Sequence, residues 1–199
     1  MTRSIVSLTF AGIVALGCSG EQRQAASALA AADSALASLS AEARGVFPEP
    51  LAAVTEAVAA ARQSIEAGDY QAGRAGLSGI PERLKALADS APARQAAMAA
   101  EMDTLSVAMP RNLEVIKAAL DRTARRRPTG LYARQLEESR ATYAAAGGEW
   151  TAIKADFDAG KSAEAIGRAH DLKARVSLLM LALGLVADER AWSNVTLPK

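Results

Sequence analysis

Residues 159–186 read Ala-Gly-Lys-Ser-Ala-Glu-Ala-Ile-Gly-Arg-Ala-His-Asp-Leu-Lys-Ala-Arg-Val-Ser-Leu-Leu-Met-Leu-Ala-Leu-Gly-Leu-Val, and this stretch decides the fold. Gly160 breaks a helix. From Ser162 good helix formers run on to about Arg190, with no alternation of strand period. Val176 to Val186 is nearly all apolar. So short a run cannot cross a bilayer, which takes about 20 apolar residues. The stretch is therefore expected to be the most buried helix of a packed core.

The same helical pattern extends through the rest of the chain. A first helix is expected over Glu21–Arg44, with Leu29, Leu36 and Leu39 sparse among alanines. A second runs from Leu51 to Ala67, with Val54, Val58 and Ile65 on one stripe; Gly68 ends it and Asp69 can cap its successor. The third runs from Tyr70 to Ala88, with a kink or short break at Gly79 and Pro81. Pro92 and Pro110 open a fourth helix (Ala93–Met109) and a fifth, which Pro128-Thr129-Gly130 closes. A sixth spans Leu131–Ala159, weakest at Gly147-Gly148. The expected fold is all-α, a bundle of six or seven helices built from hairpins. A single domain covers residues 22–190, and 191–199 form a C-terminal tail.

Ala67-Gly68-Asp69-Tyr70 and Ala159-Gly160-Lys161-Ser162 stand in comparable places, 92 residues apart. Two related helical halves would produce this echo, and so would the common use of Ala-Gly in helical turns. Gly160-Lys161-Ser162-Ala163-Glu164-Ala165-Ile166 resembles the hairpin turn of tetratricopeptide repeats, with glycine five residues before a small residue. Gly68 and Gly73 keep the same spacing. No period of about 34 residues accompanies it. The resemblance implies shared hairpin mechanics rather than membership.

Composition excludes several classes. Half of the 199 residues are hydrophobic but only 4% are aromatic. Alanine, roughly a quarter of the chain, makes up the difference. Few aromatics disfavour a β-sandwich or a base-stacking platform. A formal net charge of +1 leaves no electrostatic footprint for nucleic acid. One cysteine and one histidine supply neither an internal disulfide nor a four-ligand zinc site. No cofactor motif, phosphate loop or metal-spaced cluster is present. No cofactor, metal or nucleic-acid partner is expected.

The N-terminus carries one positive charge, Arg3, then an apolar run over Ser4–Leu16, then Gly17-Cys18-Ser19-Gly20. This is the layout of a secretory signal. Val14-Ala15-Leu16-Gly17-Cys18 resembles the lipobox of bacterial lipoproteins. The family usually has leucine three residues before the cysteine; here Ala15 stands there and Leu16 follows. The resemblance implies cleavage between Gly17 and Cys18, diacylation of the Cys18 sulfur, and a mature chain tethered through residues 18–21. Ser19 in place of aspartate implies, by the enterobacterial rule, the outer membrane facing the periplasm. An ordinary signal peptide is the plainer alternative, but the chain's sole cysteine falls at the cleavage site. Two or more acyl chains anchor stably where one does so marginally. Loss of Arg3 leaves 22 basic and 22 acidic residues.

The chemistry-bearing residues are sparse. His170 would need a cleft and an orienting partner to act as a base. It has Gly167 where a di-iron bundle has glutamate. Glu137-Glu138 diverge around a helix, and Asp156 and Asp158 flank the Gly160 turn. Phe47, Trp150 and Trp192 are expected to pack between segments. Arg122, Arg125, Arg126 and Arg127, preceded by Arg111 and Lys117, form a candidate basic patch for anionic lipid or a partner, or else complement a helix dipole. The expectation is a non-enzymatic envelope lipoprotein serving as an interaction or scaffold module, joined to the membrane through Cys18 and to an envelope protein. The alternative is a bundle that holds an apolar small molecule or lipid.

Overall fold

The computed structural model describes residues 18–126, 131–185 and Trp192. Among them every regular element is helical apart from a 3₁₀ turn at Trp192, and seven α-helices follow in order. They are α1 (Cys18–Ala37), α2 (Ala41–Val46), α3 (Pro48–Glu66), α4 (Tyr70–Leu77), α5 (Ile80–Arg125), α6 (Leu131–Asp158) and α7 (Ser162–Ala182). No helix among the described residues is long and apolar enough to cross a membrane. The all-α bundle read from the sequence is the architecture observed.

The single stretch expected over 22–190 groups into two compact units. The first comprises the residues up to Ser40 with Phe47–Asp89, and the second Ala41–Val46 with the residues from Ser90 onward. The division falls inside α5.

In the first unit α1 packs on both α3 and α4, which pair with each other. Its buried stripe is Ala25 and Ala32, both fully enclosed, while the larger Leu29 and Leu36 are only half-buried. Alanine at the contact lets helix axes approach to the near end of the usual 8–10 Å range. The α3–α4 seam is built the same way. A methyl group on Gly73 would come within 2.4 Å of Ile65 Cγ1 and 3.0 Å of the Ala61 carbonyl oxygen. Arg62 of α3 bridges to Asp33 of α1 at 2.9 Å; both side chains are about half exposed, so the pair adds at most about 1 kcal/mol.

In the second unit α6 pairs with α7, and α2 lies against α7. Gly45 of α2 meets the turn before α7: a methyl there would sit 1.9 Å from the Gly160 carbonyl oxygen. Trp150, Ile153, Leu172, Val176 and the α5 residues Met109 and Ile116 are buried.

The two Ala-Gly turns have one geometry. Gly68 and Gly160 both take φ +85°. The Gly68 and Asp69 amides donate to Ile65 and Ser64; those of Gly160 and Lys161 donate to Phe157 and Asp156, all at 2.9–3.0 Å. This paired closure satisfies the orphan carbonyls of a helix end and requires the left-handed backbone that glycine adopts freely. The burial pattern repeats too. Val54, Val58, Ala61, Gly73, Leu77, Ile80 and Leu84 are buried, and so are the residues 92 positions later: Ala146, Trp150, Ile153, Ala165, Ala169, Leu172 and Val176.

Several boundaries differ from those expected. The expected first helix is two, α1 and α2, interrupted at Ser38–Ser40. Residues 18–21, expected as a tether ahead of a helix at Glu21, are helical within α1. The break expected at Gly79 and Pro81 is present, at Ser78-Gly79, where Gly79 takes φ +74°. Pro92 and Pro110 do not open helices; α5 runs through both. Each occupies an exposed position, where the carbonyl that loses its donor can turn to water. An interior proline costs about 3 kcal/mol. Burial of Met109, Leu113 and Ile116 beside Pro110 returns roughly 1.5–3 kcal/mol per side chain and outweighs it. Helix α7 stops at Ala182 instead of Arg190, closed by Gly184 at φ +70°. Nor is its apolar run uniformly buried: Val176, Leu179 and Met180 are enclosed, but Leu178 is 66% and Leu181 60% exposed.

Gly45→Ala should cost the second unit at least about 1–3 kcal/mol, because the clash is with backbone that cannot rotate away. Gly147→Ala, at a helical site with nothing within 4 Å, should instead stabilise by about 0.5–1 kcal/mol. Urea denaturation of both variants measures the contrast.

Candidate functional site

The residues that could carry chemistry fall at four places. The first is in α1, which holds Cys18. Gly17 and the apolar run before it lie outside the described residues.

The second is the basic end of α5. Arg122 and Arg125 on the helix and Arg126 in the turn after it are exposed, and none makes an ion pair among the described residues. Arg127 lies outside the described residues. Lys117 belongs elsewhere: its ammonium is 3.4 Å from Asp121 one turn on. With Arg122 and Arg125 in the last turn, the cations also complement the helix dipole.

The third is His170 on α7. Its Nε2 lies 2.8 Å from Glu101 Oε1 of α5, with the two side chains 52% and 41% exposed. Sequence reasoning found the histidine and missed the carboxylate, because the two meet only through tertiary packing. A carboxylate-oriented imidazole is the base half of a nucleophile–base arrangement. The hydroxyl of Thr104, one turn along α5, turns back to its own helix at the Ala100 carbonyl, 3.0 Å away. Open to water, the histidine–glutamate contact has the character of a surface pair.

The fourth is the α6–α7 turn. Asp156 accepts from Lys161 Nζ at 3.0 Å and from Arg168 at 2.5 Å. The hydrogen bond from Lys161 leads in holding the Asp156 carboxyl below its ordinary value; the charges of Lys161 and Arg168 add to it and partial burial opposes it. Asp156 in turn raises the Lys161 ammonium. Cations bound to a residue of the last turn of α6 and the first turns of α7 tie the hairpin across its glycine. Glu137 and Glu138, adjacent on α6, pair separately with Arg140 and Arg134.

Trp150 is buried on α6, as expected of a packing residue, and Trp192 is buried with Lys173 Nζ 5.5 Å from its ring centroid. Phe47 is half-buried at the N-cap of α3. Two open grooves mark the surfaces. One, of about 600 Å³, runs between α6 and α7 past Gln135, Glu138, Thr142, Arg175, Leu178 and Leu179. The other, of about 440 Å³, lies in the first unit beside Ala28, Gln71, Arg74, Leu77 and Ser78. Among the described residues no group of three or more histidine, cysteine or acidic side chains is placed to hold a metal ion.

Exposed apolar residues are the features sequence reasoning missed. Tyr132 is 73% exposed, Val107 61% and Val115 39%, besides Leu178 and Leu181. Their apolar character suggested core, and only the packing shows which side of each helix is covered. No protein-family model matches the chain, and no curated protein or solved structure matches it.

Replacing Asp156 by asparagine should flatten part of the acid limb of the stability profile. A carboxyl with a lowered pKa adds stability above the ordinary carboxylate value of 3.8, and that stability is lost as pH falls through the lowered pKa. Thermal melts between pH 2 and 7 should therefore show a steeper acid decline in the parent chain than in Asp156→Asn.

Proposed function

We propose that the protein is a lipid-anchored, non-enzymatic component of the bacterial cell envelope, presenting helix faces to an envelope protein partner. One observation carries the anchoring: the only cysteine follows a short apolar run and a glycine, the place a lipobox gives it. After cleavage before it, Cys18 would carry its acyl chains as part of helix α1. Because α1 packs on α3 and α4, the first unit would sit against the membrane surface rather than on a flexible stalk. Ser19 after the cysteine favours the periplasmic face of the outer membrane.

The interaction role rests on exposed apolar side chains carried by long helices. Leu178 and Leu181 on α7 and Tyr132 on α6 lie uncovered. An enzymatic role finds less support, since His170 and Glu101 meet in an open position. A second reading, the binding of an apolar small molecule or lipid, is favoured by the groove that Leu178 and Leu179 help to line. Extraction of the purified protein and mass spectrometry of its lipids separates the two. A stoichiometric lipid lost on Leu178→Asp would support the second, while recovery of a crosslinked protein from Leu178 and Leu181 would support the first.

Feeding cells an alkyne fatty acid should label the wild-type chain and leave Cys18→Ala unlabelled. Equal labelling of the two would overturn the anchor.

A further inference from the structure

The helix α5 carries an exposed face that its place in the second unit leaves uncovered. At 3.6 residues per turn, Val107, Arg111, Val115, Ala118, Arg122 and Arg125 fall within about 40° of one line along the helix, and Arg126 continues it into the turn. Val107 is 61% and Val115 39% exposed, and the four arginines are exposed. The opposite side of the helix holds Met109, Asn112, Leu113, Ile116 and Leu120, all buried. The acids on the exposed side are Asp103, Glu114 at the edge of the line, and Asp121, which Lys117 neutralises. Within about 40° of that line, from Val107 to Arg125, there are no acids; Glu114 lies about 60° off on one side and Arg126 about 60° off on the other.

We propose that this face lies on an anionic lipid surface, as a second membrane contact besides the anchor. Three features favour lipid over an acidic protein. Aliphatic and cationic side chains share one exposed side, so cations can meet anionic headgroups where short apolar side chains enter between them. Arginine can bury its stem among acyl chains and keep its guanidinium at the phosphates. Protein interfaces draw on tryptophan and tyrosine anchors, with valine under-represented, and this face has valine and neither aromatic. Arg122, Arg125 and Arg126 cluster at one end while the valines lie towards the other on either side of Arg111, so the arginines would set the affinity for anionic headgroups and the valines would enter between them. The proposal draws on the anchored reading only for nearness to a bilayer, and its test does not need the acyl chains.

The test uses the full chain carrying Cys18→Ser. It is mixed with vesicles of phosphatidylcholine alone or with 30% phosphatidylglycerol (roughly the range in which basic residues respond). The apolar N-terminal run contributes to both compositions, so the ratio of the two partition coefficients isolates the charge effect. Each arginine near such a surface gives about a five-fold gain. The triple variant Arg122→Gln, Arg125→Gln, Arg126→Gln should therefore lower the ratio by up to about a hundred-fold at low salt, with an unchanged circular-dichroism melt. A second variant, Val115→Trp, keeps the arginines; its added emission, read as the difference from the parent chain, should shift to the blue on phosphatidylglycerol vesicles alone. Equal partition of the parent chain into both compositions, or a ratio the triple variant leaves intact, would overturn the proposal. So would an unshifted difference emission from Val115→Trp on vesicles that bind the chain. Should an acidic protein crosslink at residue 115 while vesicles show no preference, the face belongs to that partner and the proposal fails. Failure of the fatty-acid labelling would overturn the anchor and leave this result standing.

Discussion

Each hairpin depends on a helix end that closes through a left-handed glycine. At Gly68 and at Gly160 the chain must reverse within a few residues, and the last carbonyls of a long helix must find donors. The two amides that follow the helix supply them, and φ +85° is the conformation that brings those amides round. A side chain at that backbone costs about 1–2 kcal/mol. Once the reversal is fixed, the small residue five positions on sets how closely the second helix lies against the first: Gly73 in one hairpin, Ala165 in the other. A close approach in the second unit also falls at this turn, where Gly45 of α2 meets the Gly160 carbonyl.

The repetition of buried positions at a spacing of 92 residues extends this beyond the turns. Bulk shifts both ways between matched positions: Val58 matches Trp150 and Ala61 matches Ile153, while Val54 matches Ala146 and Leu77 matches Ala169. The two hairpins thus keep one register while filling it differently. Their charges also diverge. Asp69 caps α4 through the Ala72 amide at 3.0 Å, whereas Lys161 at the same place makes no cap and binds Asp156 instead. Common backbone mechanics with separate side-chain ties describes both turns. It also explains how a chain poor in large apolar residues holds its helices together: the alanine stripe makes contacts close, and the turns place them.

The surfaces follow from the same economy of bulk. A helix among alanine-rich neighbours is covered on a narrow side, so large residues on its other flank stay in water. Val107 and Val115 on α5 and Leu178 and Leu181 on α7 are of this kind. They give the chain apolar contacts on its outside, which is what an interaction module or a membrane-resting helix needs.

By itself the sequence determined the helical class, the two Ala-Gly reversals, the break near Gly79 and the setting of the only cysteine. Each depends on local chemistry: propensity, a left-handed glycine, or a run of a given length. It also showed Arg122, Arg125 and Arg126 as a cluster, since charge along a helix reads directly from spacing. Tertiary structure decided what local rules leave open. Pro92 and Pro110 read as helix starts, yet burial on the other side of α5 outweighs the lost hydrogen bonds. The run from Val176 to Val186 read as uniformly buried, yet which of its leucines are enclosed depends on where α6 and the other helices lie. His170 gained Glu101 from 69 residues away. Burial and long-range pairing are properties of neighbours, and a single sequence names the residues of a helix before it can say what stands beside them.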